Sequence, residues 1–156
     1  METLSEHKLE RLEYFLKGDK YAVLFCLDLL YVCHLWDDLI DGDKERTGED
    51  INQAFIKSLS GIPSNPFYQQ CQPALLPMIC NAFTMWLESN ILKSGNKDQR
   101  VTAYALDNGI VEILHFCIVI KGTIEWAREV ADEFWELFGP TAIELEECLG
   151  DNNESI

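Results

Sequence analysis

Residues 20–43, KYAVLFCLDLLYVCHLWDDLIDGD, decide the fold. From Lys20 to Asp41 nothing breaks a helix, and the run is apolar nearly all round as far as Trp36, which a helix tolerates only at the centre of a core. Gly42 predicts its stop. The stretch from Tyr21 to Trp36 is interrupted by Asp28 and His34 and falls about four residues short of the ~20 that span a bilayer. It reads as a buried core helix.

On the N-terminal side, Ser5 caps a short amphipathic helix whose Leu9, Leu12, Phe15 and Leu16 share one stripe, and Gly18 ends it. On the other side, Thr47 followed by Asp50 predicts a capping box, and Ile51, Ala54, Phe55 and Leu59 supply the apolar face of a helix ending before Gly61. Residues 61–73, GIPSNPFYQQCQP, hold three of the five prolines and read as a loop. A helix follows from about Pro73 to Lys93, with Pro77 in its first turn or at a kink. SGNKDQ turns the chain. Val101 to Ile120 recur at helical spacing, with a strand alternative open near CIVI, and Lys121–Gly122 ends that element.

Thr123 opens an acidic amphipathic helix bearing Trp126, Val130, Phe134, Trp135 and Phe138, which Gly139–Pro140 stops. A last helix runs to about Leu149, and residues 151–156 are expected to fray. Internal repeats, low-complexity stretches and βαβ alternation are lacking. The expected architecture is all-α: one antiparallel bundle of about six to seven helices over residues 1–150.

The composition narrows the function. In 156 residues, 47% are hydrophobic, enough for a packed core. Twenty-seven acidic against twelve basic residues give a net charge of −15, which repels phosphate backbones and anionic membrane surfaces. Nucleic acid and membrane are therefore poor partners, and cation binding, a basic protein partner or solubility remain. Six cysteines without C-x-x-C spacing read as small buried hydrophobes in a reducing compartment. Met1 precedes a charged stretch with no h-region, so a cytoplasmic location is expected.

The chemistry-bearing stretch is the end of the central helix. Asp37 and Asp38 lie four and three residues before Asp41, and the three are expected to converge on one patch, with Asp43, beyond Gly42, not among the ligands. Acids at a helix C-terminus oppose the macrodipole by ~0.3–1 kcal/mol each, which a bound cation offsets. Carboxylates without thiolate or imidazole favour Mg²⁺, which recruits phosphate oxygens from a substrate. The second ligand set is expected from Glu112, with Asp107 before it. His34 and His115 sit in apolar runs as core residues, and Glu88 and Asn90 are weaker candidates for the same cavity.

HLWDDLIDGDK resembles the D-D-x-x-D motif of class I isoprenoid synthases, especially the squalene and phytoene synthase branch. That resemblance implies an isoprenoid-synthase-like bundle and carboxylates, here Asp37, Asp38 and Asp41, that hold Mg²⁺ against a prenyl diphosphate. The HLWDDL motif, the NPFY segment and a Trp-rich last third also resemble small bacteriophage proteins, which implies the host cytoplasm. VEILHF resembles the metal-binding stretch of all-α nucleotide pyrophosphohydrolases of the dimeric dUTPase or MazG kind, where Glu112 is the acid. The first expectation is Mg²⁺-dependent binding or turnover of a diphosphate-containing small molecule, with a homodimer closing the cavity. The non-enzymatic alternative is an acidic adaptor or inhibitor, its surface around Trp126 and Trp135, bound to a basic protein.

Overall fold

The computed structural model describes residues 4–42 and 44–150, and these form an all-α helical bundle without strands. The order is α1 (Glu6–Phe15), α2 (Lys20–Asp41), α3 (Gly48–Ile56), a π-helical turn (Lys57–Gly61), α4 (Ile62–Ser64), α5 (Pro66–Leu92), α6 (Lys97–Leu106), α7 (Gly109–Lys121), α8 (Ile124–Glu129), α9 (Ala131–Phe138) and α10 (Ala142–Gly150). Six to seven expected helices become ten among the described residues. Two expected helices break, at Asp107–Asn108 and at Val130, and α4 stands between α3 and α5.

The caps predicted from sequence form. Ser5 accepts from the Lys8 amide at 3.3 Å, and Thr47 and Asp50 cap each other's backbone. Gly42 ends α2 at φ 72°, a left-handed conformation that costs glycine little. Residues 151–156 and Asp43 lie outside the described residues.

Residues 61–73 are helical except at Asn65, which is extended between α4 and α5, rather than a loop. Asn65 accepts from the amides of Phe67 and Tyr68 at 2.9 and 3.2 Å, and Pro66 takes the first position of α5, where its missing N–H costs no bond. Pro73 and Pro77 sit inside α5 on its exposed side. The strand alternative at CIVI is settled as helix, within α7.

Lys97–Lys121 is long and apolar enough, by length and composition, to cross a membrane. In the structure it is two helices, α6 and α7. At their junction Gly109 lies so close to α5 that a Cβ there would meet the Ala82 Cβ at 2.9 Å.

The core joins α1, α2, α5, α7, α8 and α9 through Phe15, Phe25, Leu29, Leu75, Ile113, Leu114, Ile118, Ala127 and Phe134. Phe25 stacks on Tyr68 at 5.5 Å, and Phe15 meets Phe134 edge-on at 5.9 Å. Cys26, Cys33 and Cys117 are buried as expected, whereas Cys71 and Cys148 are half-buried and Cys80 is exposed.

Candidate functional site

The last turn of α2 carries the three aspartates, and each meets a different environment. Asp37 faces α5, where its carboxylate accepts from the Trp86 indole N–H at 2.9 Å. Trp36 packs on Trp86 with ring centres 4.4 Å apart and meets Phe83 edge-on at 5.1 Å. Burial holds the Asp37 carboxyl above the usual carboxylate range. The Trp86 bond opposes that shift, while the charges of Asp41 and Asp107 add to it.

Asp38 is buried and ion-paired with Arg46, from the segment between α2 and α3. Asp41 is exposed. Asp41 and Asp107 thus act on Asp37, while Asp38 is engaged by a guanidinium. Mg²⁺ demands oxygens in near-octahedral array at about 2.1 Å. Among the described residues no group of three or more His, Cys, Asp or Glu side chains is placed to hold a metal ion.

Glu112 is exposed on α7, on an open groove of about 250 Å³ that it shares with Pro77, Met78, Asn81, Met85 and Gly109. None of the aspartates lines that groove. His34 is exposed on α2. His115 is half-buried, its ring 5.4 Å from those of Phe134 and Trp135, and burial pushes its pKa below the ordinary value. Glu88 is exposed, and Asn90 accepts from Lys93 at 3.0 Å.

Asp107, named in the sequence only as a companion of Glu112, belongs to a polar cluster at the end of α5. The fully buried Ser89 hydroxyl is hydrogen-bonded to its carboxylate, and Lys93 lies 3.3 Å from it. A cleft of about 640 Å³ opens beside this cluster, lined by Lys93, Arg100, Tyr104, Asp107, Asn108 and Glu144. Neighbours already engage much of its polar lining. Tyr104 donates to the Thr141 carbonyl at 2.5 Å, Arg100 to the Gly95 carbonyl at 3.1 Å, and Glu144 accepts from the Thr141 amide at 2.7 Å. Ser89 and Lys93 fall on the polar turns of a long helix, and no local motif marks them.

The densest charge lies on α8 to α10. Between Glu125 and Glu147 the sequence has eight acids against Arg128 alone. Glu125, Glu129, Asp132, Glu136, Glu144, Glu146 and Glu147 are exposed, and Glu133 is ion-paired with Arg11. Trp135 is exposed between Asp132 and Glu136 on α9. Trp126, expected on the same surface, is instead half-buried. Its indole N–H donates to the Phe15 carbonyl at 3.0 Å, and the Lys17 ammonium sits 3.0 Å from the centre of its ring.

No protein-family model matches the chain, nor does any curated protein or solved structure.

Proposed function

We propose that this chain is a non-enzymatic acidic helical protein that docks on a basic protein partner through the outer face of α8, α9 and α10. One observation carries the reading: the exposed Trp135 stands among four exposed carboxylates of α8 and α9, Glu125, Glu129, Asp132 and Glu136, three more are exposed on α10, and Arg128 is the one basic residue between Glu125 and Glu147. Carboxylates at this density draw a Lys/Arg-rich surface and speed its encounter, while an indole face accepts a guanidinium or ammonium group by cation–π contact. The alternating signs of an ordinary solubilising surface are missing there.

The test is calorimetric titration of a Lys/Arg-rich peptide into the full chain at low and high salt. Binding is expected at low salt, with affinity falling at least tenfold in Trp135→Ala and in Glu136→Lys and falling as salt rises. Absence of binding, or binding indifferent to both substitutions, overturns the reading.

A second reading, binding or turnover of a diphosphate-containing small molecule on an isoprenoid-synthase-like bundle, is favoured by the 640 Å³ cleft. Its volume suits a small ligand, and it gathers Lys93 and Arg100 in a chain with few cations. Pyrophosphate, with and without Mg²⁺, is then expected to raise the melting temperature, and Lys93→Met to cancel the rise. An unchanged melting temperature sinks this second reading and leaves the first standing.

A further inference from the structure

The outward half of α5 is almost without charge. Glu88 is the one charged residue in this 27-residue helix, in a chain a quarter of whose residues are charged. Along its exposed side run Pro73, Leu76, Cys80, Thr84, Leu87 and Ile91. At 100° per residue these six fall within about 80° of the helix circumference, a narrow seam. Leu76, Leu87 and Ile91 are 43%, 53% and 74% exposed. A helix bordering water ordinarily sets charged residues at such positions.

The spacing of the seam is symmetric. Starting from Gln69, which is also exposed on this side, the steps to Pro73, Leu76, Cys80, Thr84, Leu87 and Ile91 are four, three, four, four, three and four residues. That series reads the same in both directions about Cys80. A second α5 laid antiparallel with a two-fold axis at Cys80 sets Leu76 of one copy against Thr84 of the other, and Pro73 against Leu87. A two-fold interface requires this self-matching of one patch.

Charge selects the occupant. A basic partner is drawn to the carboxylates of α8 to α10 and finds only Glu88 to pair with on α5. Two copies of this chain bring −15 each and repel least where charge is missing, which is the α5 face. A helix of this length runs about 40 Å, and a contact strip about 15–20 Å wide covers roughly 600–800 Å² per copy, near the size of a stable interface. We propose that the chain forms an antiparallel homodimer through α5, with its two-fold axis at Cys80. This does not depend on the docking face of α8 to α10.

The test is light scattering and sedimentation of the full chain over a range of salt. The expected mass is twice the 17.9 kDa of one chain, and the dimer fraction is expected to rise with salt as repulsion between the copies is screened. Leu87→Lys is expected to give the mass of one chain while the helical circular-dichroism signal is unchanged, because Leu87 lies outside the core. Diamide is expected to join Cys80 to Cys80 of the second copy, each thiol giving up one proton and one electron as diamide is reduced to its hydrazine. Cys80→Ser removes that link and keeps the dimer mass. A single-chain mass at every salt, a dimer that survives Leu87→Lys, a dimer that dissociates as salt rises, or diamide linkage through another cysteine overturns the proposal.

Discussion

The indole N–H of Trp86 donates to the Asp37 carboxylate across 2.9 Å, and this bond ties the last turn of α2 to α5. The next residue along, Asp38, turns instead to Arg46. Two neighbouring carboxylates thus serve two contacts between segments, and each has its own consequence for stability.

Asp37→Asn is expected to raise the melting temperature near neutral pH. Burial and the charges of Asp41 and Asp107 hold the folded pKa of Asp37 above its unfolded value. The folded state therefore keeps a proton that the unfolded chain releases, so the stability linked to this group is present at low pH and lost as pH rises through the folded value. Asparagine supplies an uncharged carbonyl for Trp86. Melting curves near neutral pH and below the ordinary aspartate pKa of about 4 test this: the gain should vanish at the lower pH. A loss of stability near neutral pH would refute it.

Arg46→Ala is expected to destabilise the fold by about 3–5 kcal/mol, because it leaves the buried Asp38 carboxylate without its cation. The double variant Asp38→Asn with Arg46→Met removes both charges and is expected to recover most of that loss. Urea unfolding of the three proteins measures it. Equal losses in the single and double variants would show that Arg46 acts through packing alone.

The caps and the central helix were legible in the sequence because they depend on neighbours within four residues: Ser5 with Lys8, Thr47 with Asp50, and the apolar run from Tyr21 to Trp36. The prolines of residues 61–73 suggest a loop, but which of them breaks a helix depends on its place in the element. Pro66, behind the Asn65 cap, starts α5. The aspartates were legible as a cluster, but Arg46 and Trp86, which fix where two of them point, come from other segments. The spacing of Asp37, Asp38 and Asp41 places them on adjoining faces without choosing a partner for any.

Thiol labelling should separate the cysteines by burial. Cys80 is exposed, whereas Cys33 is buried and its pKa is pushed up to about 12 by burial, with the Asp37 charge adding to the shift. Thiolate is the reacting form, so Cys33 is expected to be inert in the folded chain and to react once denaturant is added. Labelling of Leu87→Lys, in which the α5 face stays open, followed by peptide mass analysis should find Cys80 modified first. Early modification of Cys33 would contradict the packing of α2.

Two glycine-to-alanine changes at helical sites should have opposite outcomes. Alanine in a helix ordinarily stabilises by restricting the unfolded chain, by roughly 0.5–1 kcal/mol. At Gly48, the first residue of α3, an added Cβ meets nothing within 4 Å, so a gain of up to that size is expected. At Gly61, which ends the π-helical turn, an added Cβ lies 3.2 Å from the Asp28 carboxylate. Asp28 is buried and ion-paired with Lys57 from the same turn, so it cannot move aside without loosening that pair. Gly61→Ala is therefore expected to lose stability in the native chain, and to lose less when Asp28→Ser removes the carboxylate that crowds it. Thermal melts of both alanine variants, with and without Asp28→Ser, decide the matter: a gain at Gly61 in the native chain would mean that the π-helical turn relaxes around Asp28 and that the ion pair does not fix its geometry.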